Sequence, residues 1–233
     1  MEEGNFDVRY PSQCLLLFIY EFIGTTILLL GVNFSDVHPI IVPCGVFMGA
    51  MIVGKKTGGH FNFGVTIGIY IMKWDFRRHF KALCIYFFAE LLGAFFGMFI
   101  SWCYLGNRGI SVFPSANGAL QNVGFVFFVE FFFTFCFHSM IMHAKNEKVA
   151  IVNNAVVGTV SVVVGMYFAI TCSVGLSGAA LNPSIGIANL VFVAIVKDTT
   201  AYLKFLPAFF FGPLLGGAFA GILAGHISPR FTP

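Results

Sequence analysis

Charge is the scarcest property of this sequence. Asp, Glu, Lys and Arg make up 10% of its 233 residues, whereas soluble domains carry about 25%, so water is not its main solvent. The formal net charge of +3 is too small to point to a nucleic-acid partner. Cysteine is sparse and unpatterned: Cys14, Cys44, Cys84, Cys103, Cys136 and Cys172 lie in apolar stretches without a C-x-x-C pair. That spacing speaks against a disulfide or metal framework and predicts small buried hydrophobes. There is no metal-ligand cluster, nucleophile elbow or phosphate loop, which argues against an enzyme and calls for no cofactor or metal. The opening residues, MEEGNFDVRYPSQ, are acidic and polar, where a cleavable signal is basic and then apolar.

What the sequence does contain is hydrophobic residues, 58% of the total, with a mean hydropathy of +0.88. A bilayer core takes about 20 apolar residues per spanning helix. Six long apolar segments occur at about 13–32, 39–54, 80–104, 122–143, 150–172 and 204–226, bounded by charges, Gly or Pro, and the second is short for a span. Two further stretches, about 62–73 and 182–196, are too short to cross and open with Asn-containing triplets after Gly-rich turns. They read as re-entrant half-helices. Broken backbone at membrane depth is tolerated where protein buries it or where it lines a water-filled cavity, so the pair points to a pore or binding site.

Basic residues set the expected orientation. With both termini on one side, Arg9, Lys55, Lys56, Lys73, Arg77, Arg78, Lys81, Lys145, Lys148 and Arg230 share one face, against Arg108, Lys197 and Lys204 on the other. This positive-inside bias predicts an integral membrane protein with both termini cytoplasmic.

An internal repeat organises the chain. EFIGTTILL from Glu21 matches EFFFTFCF from Glu130, GGHFNFGVTIG from Gly58 matches SGAALNPSIGIA from Ser177, and ELLGAFFG from Glu90 matches PLLGGAFAG from Pro213. The order is the same in a first repeat, 13–104, and a second, 122–226, of one domain spanning 1–233. Three spans per half make the second half enter from the opposite side. The result is an inverted repeat that brings the two re-entrant segments together near the midplane.

Two half-helices meeting by their N-termini place two positive dipole ends at that point, each equivalent to roughly half a charge, which disfavours a cation or proton. Asn62 and Asn182 stand at the half-helix starts. There an Asn oxygen caps backbone N–H groups and leaves its NH2 donors for a passing water. One such Asn alone is a helix cap; two at matched positions of an inverted repeat point to the pore centre.

The Glu at the first and fourth spans, the Gly-x-His-x-Asn turn ending at Asn62, and Leu181-Asn182-Pro183-Ser184 resemble the major intrinsic protein family, the aquaporins and aquaglyceroporins, over nearly the whole chain. The resemblance implies an aquaporin-like, all-α membrane fold of six transmembrane helices and two half-helices. It also implies a homotetramer in a lipid bilayer with a pore in each subunit. The carbonyls of Gly58, Gly59, His60, Gly178, Ala179 and Ala180 would form a ladder for solute, and Glu21 and Glu130 would hold the pore loops in shape. For His60 a pH-sensitive gate competes with a structural place beside the cytoplasmic pore mouth. Glu90 stands where relatives often have a neutral polar residue. It is read as protonated, paired or, against those, as a proton relay.

The chain also departs from the family. Asn62-Phe63-Gly64 replaces the usual Asn-Pro-Ala, and the second triplet is Asn182-Pro183-Ser184. Phe63 lacks the pre-organisation of a proline at the first helical position. The outer constriction maps by resemblance to Val42, Ile170, Ala179 and Ile185, with Ile185 where most members carry Arg. An aliphatic ring has no donor to replace water's hydration shell and no fixed charge. It either dewets or opens a wider apolar passage for glycerol, urea, ammonia or a gas. The expected function is a passive channel for water or small neutral solutes. The alternative is a structural or adhesive membrane protein with low conductance. A secondary transporter would need coupling-ion ligands in the unwound segments, and none are there.

Overall fold

The computed structural model describes residues 8–35, 38–108, 110–111, 113–114 and 122–231, all helix and connecting turns without a strand. The acidic residues 1–7 and the side chain of Arg108 lie outside the described part. The described residues form eight α-helices in chain order: α1 Pro11–Phe34, α2 Ile41–Thr57, α3 Phe63–Lys73, α4 Phe76–Leu105, α5 Val123–Lys145, α6 Ala155–Ser173, α7 Pro183–Val196 and α8 Leu206–Ile222, the last extended by a π turn, Leu223–Ile227. Among the described residues, five helical stretches are long and apolar enough to cross a membrane: Pro11–Phe34, Phe76–Leu105, Val123–Lys145, Ala155–Ser173 and Leu203–Arg230. The sixth, α2, has 17 residues and reaches about 26 Å, just short of a bilayer core. The short helices α3 and α7 have 11 and 14 residues.

Polar caps fix several helix starts more sharply than hydropathy does. Asp75 accepts from the Arg78 N–H at 3.3 Å, so α4 begins at 76 instead of 80 and takes in two arginines. Asn154 accepts from Val156 and Val157 at 3.0 and 3.1 Å, so α6 begins at 155. The apolar residues 150–152 that hydropathy assigns to this span lie outside the helix. A cap satisfies N–H groups that the first turn leaves without partners, and it overrides a few apolar side chains.

Small residues then let the helices approach closely. α1 packs on α4, α5 on α8, and α3 on α8. A Cβ on Gly93 would come within 2.5 Å of the Phe22 carbonyl, and one on Gly216 within 2.7 Å of the Phe131 carbonyl. Backbone therefore touches backbone at these crossings. The outside is apolar as well, with Phe80, Phe88, Phe128, Phe132 and Phe219 exposed, as a lipid-facing surface requires. Trp74, Trp102 and Tyr104 are exposed near helix ends. One expectation fails here: the cysteines are not buried. Cys44, Cys103 and Cys172 are exposed and the other three half-buried, all as free thiols. In a bilayer an apolar stretch does not reveal which of its residues face inward.

Candidate functional site: a cavity ending at two capped half-helices

Each half-helix is reached through a loop whose backbone turns left-handed at matching places. Gly58, Gly59 and Phe61 have φ of 89, 60 and 51°, and Gly178, Ala179 and Leu181 have 99, 57 and 48°. Side chains disfavour that region, by about 1–3 kcal/mol per residue, so something must hold Phe61, Ala179 and Leu181 in place. The buried carboxylates do. Glu21 accepts from the N–H groups of His60 at 3.2 Å and Phe61 at 2.9 Å and from the hydroxyl of Thr57. Glu130 accepts from Ala180 at 3.1 Å, Leu181 at 2.7 Å and the hydroxyl of Ser177 at 2.6 Å. Thr57 and Ser177 in turn accept from Gly59 and Ala179, each at 3.2 Å. The Phe61 ring fills a slot between α1 and α2, where a Cβ on Gly24 would meet it at 1.9 Å and one on Gly49 at 2.9 Å.

The two half-helix N-termini are laced together by their asparagines. Asn62 caps α3 by accepting from Gly64, and Asn182 caps α7 by accepting from Ser184 and Ile185. Each then donates through Nδ2 to the carbonyl that precedes the other: Asn62 to Leu181 and Asn182 to Phe61, both at 2.8 Å. Phe63, at the position of the missing proline, is buried and packs edge-on against Phe87 at 4.8 Å. Ser184 is buried on the other side.

One expectation about the asparagines changes. Asn62 Nδ2 also lies 3.1 Å from His138 Nε2. The amide oxygen of Asn62 is occupied as an acceptor, so its nitrogen is a donor and His138 Nε2 must accept. The network thereby assigns the ring proton to Nδ1. Both NH2 hydrogens of Asn62 are engaged, and the free donor at this point belongs to Asn182. His138 was missed in the sequence, although Glu130, Thr134 and His138 recur at four-residue spacing on one helix face. A neutral hydrogen bond contributes about 1 kcal/mol. His138→Leu is therefore expected to release the amide and raise glycerol permeability of proteoliposomes, by roughly fivefold or less. Unchanged permeability would show that Asn62 stays engaged without the imidazole.

The first half carries a polar chain that its counterpart lacks. His60 stacks on Tyr86 at 4.3 Å and meets the Thr66 hydroxyl at 3.0 Å. Thr66 donates to Glu90 at 2.8 Å, and Tyr86 donates to the Thr57 carbonyl. Matching positions in the second half are Ala180, Gly186, Phe209 and Pro213. Glu90 thus receives a bond from the half-helix itself, and His60 is fixed between two elements.

A cavity of about 530 Å³ runs from the end bearing Lys55 and Lys145 to Asn62. Its walls include Gly58, Gly59, His60, Phe137 and Met166. Of the expected carbonyl ladder, Gly58 is occupied, since its oxygen accepts from Lys145 Nζ at 2.8 Å. Val42, Ile170, Ala179 and Ile185 do not line this cavity. Val42, Ile170 and Ile185 are buried in one continuous apolar cluster, with Ala179 packed against it. Asn189 of α7 is bonded to Phe113 and Ser111, and Lys197, the C-cap of α7, to Ile110.

Comparison with known proteins agrees with this architecture. The profile of the family described as major intrinsic protein matches residues 13–224. An aquaglyceroporin of Plasmodium berghei is 25% identical across 97% of this chain and 93% of its own length. An aquaglyceroporin of Plasmodium falciparum is 31% identical across 66% of this chain and 62% of its own. The X-ray structure of the aquaglyceroporin from Plasmodium falciparum superposes with a TM-score of 0.77 at 23% identity, covering 93% of this chain and 98% of that one.

Proposed function

Since the chain belongs to the major intrinsic protein family, we propose that the path through it runs along the cavity, past Asn62 and Asn182, and out between Val42, Ile170, Ala179 and Ile185. The protein is a passive membrane channel for water or glycerol-type solutes, not an enzyme. The observation that carries the proposed path is the pair of Asn-capped half-helices whose N-termini are laced to one another. Two positive dipole ends meet there, which admits neutral solutes and opposes cations and protons. Carbonyls of the two loops, such as those of Gly59, Ala179 and Ala180, provide acceptors for a hydroxylated solute, and the apolar outer segment provides surface for its carbon skeleton. These features favour glycerol and similar small polar molecules as cargo. The names of the Plasmodium relatives support the same solute class.

In this reading residues 13–104 and 122–226 form one inverted repeat within a single channel domain, and Glu21 and Glu130 hold its two loops. Basic residues such as Lys55, Lys56, Lys145 and Lys148 mark the cytoplasmic end, which puts both termini inside. Family membership supports a homotetramer with one path per subunit.

Proteoliposomes under osmotic and glycerol gradients, followed by stopped-flow light scattering, test the function. Glycerol entry faster than through empty vesicles is the expected result. If neither water nor glycerol exceeds the empty-vesicle rate, the protein is instead a structural or adhesive member whose apolar constriction is shut. Ile185→Arg puts a donor and a charge into that constriction and is expected to lower the glycerol-to-water ratio. An unchanged ratio places Ile185 off the path.

A further inference from the structure

The apolar outer segment poses a question of charge. Val42, Ile170, Ala179 and Ile185 carry neither a charge nor a side-chain donor, so that segment offers a cation no electrostatic opposition beyond its poor solvation. The opposite mouth differs. Among the described residues lining the cavity, the charged ones are Lys55 and Lys145, and no acidic residue joins them. Lys55 is exposed on the last turn of α2. Lys145 is half-buried at the end of α5, and its ammonium is fixed against the Gly58 carbonyl at 2.8 Å.

The structure assigns Lys145 as the fixed positive charge of the conduction path, standing at the basic mouth instead of at the far constriction, and so as a residue that turns away small cations. Three features support this. The ammonium occupies a carbonyl that would otherwise coordinate an entering cation, removing an acceptor while adding a charge. Its position is set by a hydrogen bond, so the charge does not swing out into solvent as that of a surface lysine does. The buried carboxylate that holds the same loop, Glu21, is turned to that loop and already receives three hydrogen bonds. In a narrow passage with low-dielectric walls, a fixed charge acts on a passing ion far more strongly than it does in water. A neutral solute is indifferent to it.

The inference rests on the reading of the cavity as part of the path, so the test reads two fluxes. Full-length protein is reconstituted, glycerol flux is measured by light scattering, and potassium current is measured in planar bilayers under a KCl gradient. Lys145→Gln keeps a donor for Gly58 and loses the charge, and it is expected to raise the ratio of potassium current to glycerol flux by about tenfold or more. Lys145→Met, a second neutral variant of similar length, does the same and guards against a folding failure of the first. Lys145→Arg holds the wild-type ratio. Adding Ile185→Arg to Lys145→Gln restores a charge to the path and returns the ratio toward wild type. A wild-type ratio in neutral variants that still pass glycerol overturns the assignment of Lys145. Wild-type protein that passes neither water nor glycerol overturns the channel path itself.

Discussion

Glu130→Leu is expected to leave little folded protein in the membrane. The carboxylate accepts from two backbone N–H groups and the Ser177 hydroxyl, and every group in this set except the backbone of Ala180 belongs to a residue that is wholly or almost wholly buried. Leu fits the space but leaves three donors without acceptors, each costing about 1–3 kcal/mol. The sum, roughly 3–9 kcal/mol, is on the scale of a domain's whole stability. The loop also loses what holds Leu181 and Ala179 in left-handed backbone, so the cost falls where α7 begins. Glu130→Gln keeps one oxygen but turns an NH2 toward a donor, and should lose about 1–3 kcal/mol. Size-exclusion yield and thermal melting in detergent should therefore rank wild type, Gln and Leu in that order. A Leu variant as stable as wild type would show that the loop holds itself.

Gly217→Ala is the second large effect. The added methyl would lie 2.0 Å from the Gly64 carbonyl oxygen and 3.0 Å from His138 Nδ1. The first contact is backbone, so relief requires α3 and α8 to separate by about an ångström or more. α3 is not free to move, because Asn62 at its start is bonded to Leu181 and to His138. Overpacking commonly costs about 1–3 kcal/mol and occasionally more, and this site belongs at the upper end. The folded fraction should also conduct glycerol poorly, since any shift of α3 moves Asn62. Gly175→Ala is the control, as a methyl there meets nothing within 4 Å. Equal melting temperatures for the two variants would refute the tight α3–α8 contact.

Most of the architecture was legible in the residues because the bilayer imposes simple rules. Long apolar segments must be helices, and segments too short to cross must turn back. The repeated Glu, Gly-rich turn and Asn announced two equivalent loops. Helix starts were less legible, because one Asp or Asn cap, such as Asp75 or Asn154, outweighs several apolar side chains. The inward faces were least legible. Three cysteines turned out to be exposed and three half-buried, and Phe137 lines the cavity while Phe128 and Phe132 of the same helix face outward.

The capped half-helices show the division most clearly. The sequence alone determined that Asn62 and Asn182 begin two broken helices in an inverted repeat, since capping chemistry and span length depend on neighbours in the chain. Tertiary structure decided what their amides do. His138 lies 76 residues from Asn62 and yet takes its second donor. Lys145 lies 87 residues from Gly58 and yet covers its carbonyl. Hydrogen bonds and electrostatic fields depend on distance in space, and helix packing set by Gly93, Gly216 and Gly217 determines which distant side chains meet at the passage.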